Sequence, residues 1–282
     1  MDFSSPSVID FIKRSLQEDV GSGDHSSLAS IPSGKQGKAQ LIFKEIGMVA
    51  GLELAIQIFN TVDKDLKIEL FKKDGDAIKY GDIGLHVSGC VHSILISERL
   101  VLNCMQRLSG IATITNKVVK KIEGTNSKIL DTRKTTPGLR MFEKWAVTIG
   151  GGENHRFALY DMIMLKDNHI DFAGGITNAI TKTKEYLKSN NKDLKIIVEA
   201  RNLDEIKEIL QNDGVFRILI DNFNFQDTKT AVALIGDQCL TESSGNINEN
   251  TIREYAECGV NYISSGALTH SVYNMDLSLK AV

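Results

Sequence analysis

Between residues 127 and 264, short apolar runs alternate with helical stretches, and this alternation restricts the possible folds more than any other feature. The runs are SKIL (127–130), MIML (162–165), KIIV (195–198), RILI (217–220), QCL (238–240) and YIS (262–264). Amphipathic spacing predicts helices near 174–189, 203–212, 226–236 and 248–258. Strand–helix–strand units build parallel sheets, because a crossover of that length returns the chain to start the next strand in the same direction. Each run ends in residues that carry chemistry. SKIL enters Asp131-Thr132-Arg133-Lys134 and MIML enters Lys166-Asp167-Asn168-His169. KIIV enters Glu199, RILI enters Asp221-Asn222, QCL enters Thr241-Glu242-Ser243-Ser244-Gly245, and YIS enters Ser265-Gly266. The carboxyl edge of a parallel sheet is where α/β barrels and open doubly wound sheets hold their sites. These strands are too few for an eight-stranded barrel, which takes about 250 residues. An incomplete barrel of about six strands, or an open sheet, is expected over 111–282.

The first 110 residues follow a different pattern. Val8, Ile9, Ile12 and Leu16 sit at helical spacing behind Ser7, and VGSGDHSS then breaks the helix. Ala39, Leu41 and Phe43 alternate as in a strand, ELAIQIFNTV (53–62) is helical, and Leu66, Ile68 and Leu70 alternate again before a turn at Asp74-Gly75. IGLHVSG (83–89) is a further short strand. The result is a mixed α/β domain with antiparallel character. Residues 92–123 are helical, with breaks expected at Gly110 and Gly124, and a domain boundary is placed near 110.

The formal net charge of −3 excludes binding of nucleic acid over the whole surface. Positive charge is instead concentrated in 131–170, which holds Arg133, Lys134, Arg140, Lys144, His155, Arg156, Lys166, His169 and three successive glycines, Gly150 to Gly152. The first 20 residues mix acidic and basic side chains, unlike a signal peptide, and no apolar run approaches 18 residues. The four cysteines form no CxxC pair. A cytoplasmic protein with reduced thiols and no membrane or nucleic-acid partner is expected.

Arginines and lysines at 133, 134, 140, 156 and 166 suit a polyanion, since guanidinium groups grip carboxylate or phosphate with paired hydrogen bonds. Arg140 and Lys144, spaced i,i+4 beside Glu143, are equally compatible with a solvated helix face. Glu199 and Asp221 stand at strand ends, where a carboxylate holds Mg²⁺ or faces developing positive charge, or instead caps a helix, as Asp221 could for the one that follows, or forms a salt bridge within the barrel. ESSGN (242–246) and SSGA (264–267) are two consecutive Gly/Ser turns whose backbone N–H groups suit an anion. His25, His86 and His92 are assigned structural roles. No HExxH, Walker-type loop, GxGxxG or GxSxG is present.

DTRKTTPGLR (131–140), GGGENHR (150–156) and LKDNHI (165–170) resemble, in order and spacing, the quinolinate phosphoribosyltransferase family, also called nicotinate-nucleotide pyrophosphorylase (carboxylating). So do SERLVLNCMQRLSGIAT (97–113), LIDNF (219–223), ESSGNI (242–247) and SSGALTHS (264–271), and the likeness runs from EDVGSGDHSS to the C-terminus. The resemblance implies a pentosyltransferase that makes nicotinate mononucleotide, pyrophosphate and CO₂ from quinolinate and phosphoribosyl pyrophosphate. It implies an N-terminal α/β sandwich, a C-terminal incomplete α/β barrel with a tail returning to the first domain, and a homodimer or higher oligomer with a shared site. Mg²⁺ accompanies the pyrophosphate. By the same resemblance Thr132, Arg133, His155, Arg156 and Lys166 line the quinolinate pocket, with Arg99 reaching in from the partner subunit. Lys134 and Lys166 face pyrophosphate or ribose phosphates, and Glu199 and Asp221 face the ribose hydroxyls and Mg²⁺, directly or through water. Ser244, Gly245, Asn246, Ser265, Gly266 and Ala267 cradle the 5′-phosphate.

Three positions depart from the family pattern. Arg201 stands where relatives carry an acidic residue, Asn261 replaces a common aspartate, and Ser265 replaces a frequent valine. Three other functions compete: a molybdenum-associated paralogue of the same fold, a non-catalytic anion-binding protein, and an ATP-coupled nicotinate phosphoribosyltransferase. The intact TRKTTPGLR and LKDNHI segments, with Glu199, Asp221 and the lysines present, favour quinolinate.

Overall fold

The structure is a computed structural model and describes residues 1–282. The chain divides into two compact units. The first comprises Met1–Asn116, Thr136–Gly151 and Ser271–Val282, and the second Lys117–Thr135 and Gly152–His270.

In the first unit, helices α1 (Pro6–Val20) and α2 (His25–Ser30) precede strands β1 (Gln36–Phe43) and β2 (Gly47–Met48). Helix α3 (Leu52–Val62) is followed by β3 (Lys67–Leu70), β4 (Ala77–Ile78) and β5 (Ile83–Cys90). The last strand, β12 (Leu277–Ala281), pairs antiparallel with β1, and the sheet order is β12-β1-β5-β3. Ala39, Leu41 and Phe43 all face the core, as their alternation predicts, and Leu41 pairs with Leu85 on one side and Leu279 on the other. The turn at Asp74-Gly75 has a second use. The Asp74 carboxylate accepts N–H bonds from Gly51, Leu52 and Glu53 at 2.7, 3.0 and 3.2 Å, capping α3 from outside its own sequence.

Helix α4 runs unbroken from Val91 to Lys121, so the break expected at Gly110 does not occur. Gly110 is needed there for close packing. A Cβ on it would lie 2.3 Å from the Tyr273 carbonyl oxygen, where the C-terminal segment crosses the helix. Helix α5 (Arg140–Ile149) buries Phe142, Glu143, Lys144, Ala146 and Val147. The solvated face allowed for Lys144 is therefore wrong: the residue is 2 % exposed. Its neighbour Glu143 is fully buried and accepts from Arg107 Nε at 3.0 Å and from the Thr136 N–H at 3.1 Å.

The second unit is a six-stranded parallel sheet. Its strands are β6 (Lys128–Leu130), β7 (Ile163–Leu165), β8 (Ile196–Ala200), β9 (Val215–Asp221), β10 (Leu240–Ser244) and β11 (Tyr262–Ser264), in the order β6-β11-β10-β9-β8-β7. β6 and β7 form the two edges and do not pair, so the barrel is incomplete. All five residues of β8 are buried, as in a strand covered on both faces. The crossovers are α6 (Asp167–Ala173), α7 (Ile176–Ser189), α8 (Leu203–Leu210), α9 (Phe225–Ile235) and α10 (Ile252–Glu257), and the short α11 (Ala267–His270) follows β11.

One strand differs from expectation. The apolar run 238–240 was expected to be the strand and 241–245 its loop, yet β10 begins at Leu240 and runs through Thr241, Glu242, Ser243 and Ser244. Four polar residues can occupy a buried strand because the one charge among them, Glu242, meets Arg217 of adjacent β9 at 2.7 Å.

Candidate active site

The carboxyl ends of five of the six strands, all but β8, open on a cavity of about 800 Å³, within the range of small-molecule sites. Thirteen of the fifteen residues singled out from sequence line it: Thr132, Arg133, Lys134, His155, Arg156, Lys166, Asp221, Ser244, Gly245, Asn246, Ser265, Gly266 and Ala267. Two do not. Glu199 is 4 % exposed and lies behind Lys166, accepting from its Nζ at 3.1 Å and from the Asp167 N–H at 3.3 Å. Arg99 belongs to the first unit and lines a separate cavity of about 260 Å³ with Arg107, Asn103, Glu18 and Asp19.

The cations reach the mouth by different routes. Asp131 directly follows β6, fully buried, and its Oδ1 accepts the His155 N–H at 2.8 Å, which ties the glycine-flanked segment to the strand end. Thr132 Oγ1 accepts the Lys134 N–H at 3.0 Å, and Thr269 Oγ1 donates to the Lys134 carbonyl at 2.8 Å. Gly266 makes room for this arrangement, since a Cβ there would lie 2.8 Å from Lys134 Cδ. Arg156 is 8 % exposed. Burial, and then the positive charge of Arg133, depress its guanidinium below the usual value, with Asp161 opposing. Two guanidinium groups close enough to repel, one of them buried, mark a place that an anion relieves.

Beneath them lies a buried network. His155 Nδ1 accepts the Arg156 N–H at 2.6 Å and its Nε2 faces Glu242 Oε2 at 3.2 Å, so both ring nitrogens have protein partners. A nitrogen that accepts an N–H is unprotonated, which makes Nε2 the donor to Glu242. Arg217 Nη1 donates to the same Glu242 oxygen at 2.7 Å and its guanidinium lies 4.0 Å over the Tyr262 ring. Burial alone would push the Glu242 carboxyl up, but the hydrogen bond from His155 and the charge of Arg217 hold it below the usual range.

The helices that follow the two carboxylates are capped by other residues. Helix α8 is capped by Asn202, whose side chain accepts from Glu205 N, and α9 by Asn224, which accepts from Asp227 N. Asp221 caps no helix, whereas Glu199 accepts the first N–H of α6, that of Asp167, at 3.3 Å and pairs with Lys166 at 3.1 Å. No three His, Cys, Asp or Glu side chains converge as a metal cage.

The departures from pattern lie outside this network. Arg201 is held by Asp171 at 3.2 Å and Glu205 at 2.8 Å, which raise its guanidinium well above the usual value. Asn261 Oδ1 accepts from the Thr241 N–H and hydroxyl at 2.8 and 3.0 Å, stitching β11 to β10 as an aspartate would. Ser265 N–H donates to the Leu130 carbonyl at 3.0 Å. His25, His86 and His92 make local contacts with Ser22, Glu69 and Ile31. The cysteines are unpaired, and burial pushes the Cys104 thiol up to about 12.

Sequence reasoning missed Asn222, Glu242, Asn248 and His270 as cavity residues. Asn222 and Glu242 were within reach, since both sit at or beside strand ends already noted. His270 and Asn248 lie beyond the Gly/Ser turns and carry no local signal.

A parallel sheet with an open edge, gathering buried arginines, lysines and two Gly/Ser turns at its carboxyl end, defines an α/β enzyme of anionic small molecules. Residues 24–109 match the family model for the quinolinate phosphoribosyl transferase N-terminal domain and residues 111–280 that for its C-terminal domain. The nicotinate-nucleotide pyrophosphorylase [carboxylating], chloroplastic, of Arabidopsis thaliana is 46% identical over 284 residues, covering 95% of this chain and 81% of that protein. The probable nicotinate-nucleotide pyrophosphorylase [carboxylating] of Bacillus subtilis is 40% identical, covering 93% of this chain and 89% of that one. The crystal structure of NadC from Streptococcus pyogenes superposes with a TM-score of 0.94 at 39% identity, covering 100% of this chain and 99% of that one. The chain belongs to the quinolinate phosphoribosyltransferase family.

Proposed function

We propose that this chain transfers the phosphoribosyl group of phosphoribosyl pyrophosphate to quinolinate with loss of CO₂, forming nicotinate mononucleotide and pyrophosphate on the route to NAD. One observation carries the proposal: Arg133, Lys134, Arg156 and Lys166 converge on one cavity. A dicarboxylate and a pyrophosphate together carry enough negative charge to balance them.

Arg133 and Arg156 receive the two adjacent quinolinate carboxylates and orient the ring nitrogen toward C1′ of the ribose. His155 holds the Arg156 backbone through Nδ1. Lys134 and Lys166 stabilise the departing pyrophosphate, while Asp221 favours the cationic sugar that develops as the C1′–O bond breaks. The pyridine nitrogen attacks C1′ and becomes positively charged. The carboxylate beside it then leaves as CO₂, and the electron pair left on the ring carbon is protonated. No enzyme nucleophile is needed. The Ser244–Asn246 and Ser265–Ala267 turns take the 5′-phosphate, supported by positive φ at Gly245 and Asn246, which turns the loop toward the cavity.

Mg²⁺ belongs with phosphoribosyl pyrophosphate, and the donor set fits it. Asp221, which lines the cavity, would hold it together with substrate oxygens, and Glu199, engaged by Lys166 and the Asp167 N–H, would reach it only through water. When bound it neutralises charge on the leaving group. We place the active form as a homodimer in which Arg99 of a second copy completes the quinolinate pocket; Arg99 lines no part of the cavity in its own chain's sheet unit. No helix is long and apolar enough to cross a membrane, and the four free cysteines suit a reducing cytoplasm.

The test is turnover by the purified protein with phosphoribosyl pyrophosphate, Mg²⁺ and either quinolinate or nicotinate. Nicotinate mononucleotide and CO₂ from quinolinate alone are expected. Turnover of nicotinate alone, or of neither, would overturn the assignment.

A further inference from the structure

Asn222 follows Asp221 at the end of β9, and every polar group recorded for it is committed to its neighbours. Its backbone N–H donates to the Ser244 carbonyl at 2.9 Å, one step beyond the register pair Asp221↔Ser244. Its side-chain Nδ2 donates to Asp221 Oδ2 at 2.7 Å, and its Oδ1 accepts from Asn246 Nδ2 at 3.0 Å. The residue has φ +58, and its partner Asn246 has φ +50, the left-handed region that an asparagine tolerates and most residues avoid. Gly245, between Ser244 and Asn246, has φ +92, and a Cβ there would lie 2.3 Å from Asn222 Oδ1. The loop thus lies directly on the Asn222 amide, which only glycine permits.

A single side chain therefore touches both parts of the sheet edge that the phosphoribosyl group would span. On one side is the carboxylate that faces the sugar, and on the other the turn that faces the 5′-phosphate. We propose that Asn222 is a positioning residue for phosphoribosyl pyrophosphate, setting the distance and orientation between the Asp221 carboxylate and the Ser244–Asn246 turn. This rests on the assignment of that turn to the 5′-phosphate. Both side-chain hydrogen bonds are spent on other residues of the chain, so Asn222 acts through its neighbours. The quinolinate carboxylates, held by Arg133 and Arg156 on other elements, should not register its loss.

The experiment compares wild type with Asn222→Gly, Asn246→Gly and the double variant. Glycine accepts both left-handed backbones without strain, so each change removes only the side-chain clasp. Calorimetric titration is made separately with phosphoribosyl pyrophosphate plus Mg²⁺ and with quinolinate. For Asn222→Gly the phosphoribosyl pyrophosphate Kd should rise about tenfold or more, because a charge-assisted hydrogen bond and the loop it fixes are lost together. The quinolinate Kd should stay within about twofold. The two single losses should be strongly non-additive in the double variant, since they break the same link. Asn222→Asp should not rescue binding, because it keeps an acceptor for Asn246 but sets a second carboxylate beside Asp221. An unchanged phosphoribosyl pyrophosphate Kd, equal weakening of both substrates, strict additivity, or full rescue by Asn222→Asp would each overturn the positioning role. Failure of the wild-type protein to bind phosphoribosyl pyrophosphate at all would instead overturn the functional assignment beneath it.

Discussion

Replacing Glu242 by alanine should destabilise the fold by about 3–5 kcal/mol, because it removes one member of a buried charge pair and leaves the other behind. The Glu242 side chain is 0% exposed and that of Arg217 is 7% exposed, so neither charge is rescued by water. Their attraction is not surplus stability. Glu242 Oε1 and Arg217 Nε have no hydrogen-bond partner, and a pair with unsatisfied atoms roughly offsets its own desolvation. The large cost thus comes from stranding Arg217 rather than from losing a strong bond. Thermal unfolding followed by circular dichroism should show a drop of roughly 6–20 °C, at about 2–4 °C per kcal/mol for a chain of this size class. Adding Arg217→Met to Glu242→Leu should recover most of the loss, since the stranded charge is then gone. As an exposed control, Lys207→Ala, which breaks the 2.7 Å pair with Asp204, should cost no more than about 1 kcal/mol. The pH dependence has a definite sign. Glu242 is held below its ordinary value of 4.5, so its contribution is fully present above that pH and is lost as the pH falls through the lower folded-state value. A Glu242→Ala loss no larger than that of Lys207→Ala, or a double variant no better than the single, would refute the stranded-charge account.

Other outcomes are expected. Arg156→Ala and Arg133→Ala should each raise the quinolinate Kd at least tenfold while moving that of phosphoribosyl pyrophosphate far less; equal effects on both would contradict the division of cations. Mixing inactive Arg99→Ala with inactive Lys134→Ala should restore part of the activity through mixed dimers, and no recovery in demonstrated heterodimers would refute a shared site. Gly110→Ala should lower stability by about 1–3 kcal/mol despite alanine's better helix propensity, because the new methyl meets the Tyr273 carbonyl; a stabilised variant in urea denaturation would show that the crossing relaxes freely. Arg201→Ala should leave turnover within about twofold and stability within about 1 kcal/mol, since Arg201 is engaged by Asp171 and Glu205 at an exposed position.

The periodicity of the second half of the chain made its sheet legible. YIS is β11 residue for residue, RILI forms the middle of β9, and the IIV of KIIV opens β8. It fails at β10, where the apolar run stops at Leu240 but the strand continues through Ser244, because the compensating charge is Arg217, 25 residues away on another strand. It fails also at Gly110, whose reason is the backbone near Tyr273. For the site, residue type at strand ends marked Arg133, Lys134, Lys166, Asp221 and the two Gly/Ser turns, while His155 and Arg156 took their place in the pocket from the family resemblance. The same rule put Glu199 in the mouth, whereas folding sets it behind Lys166, since a buried carboxylate finds its cation wherever packing allows.

Apolar periodicity and strand-end chemistry are properties of adjacent residues, so the sequence by itself determined a parallel α/β unit with cations, carboxylates and Gly/Ser turns along one edge. Which of those groups face the cavity and which face one another depends on contacts between residues far apart in the chain. The tertiary structure alone decided that Asn224 and Asn202 cap the helices after Asp221 and Glu199, and that Glu199 is instead spent on Lys166 and the first N–H of α6. It also decided that both His155 nitrogens are spent within the protein, and that Asn222 joins the Asp221 carboxylate to the loop at Asn246. Hydrogen bonds and ion pairs are short-ranged and directional, and only the folded backbone brings their two ends within reach.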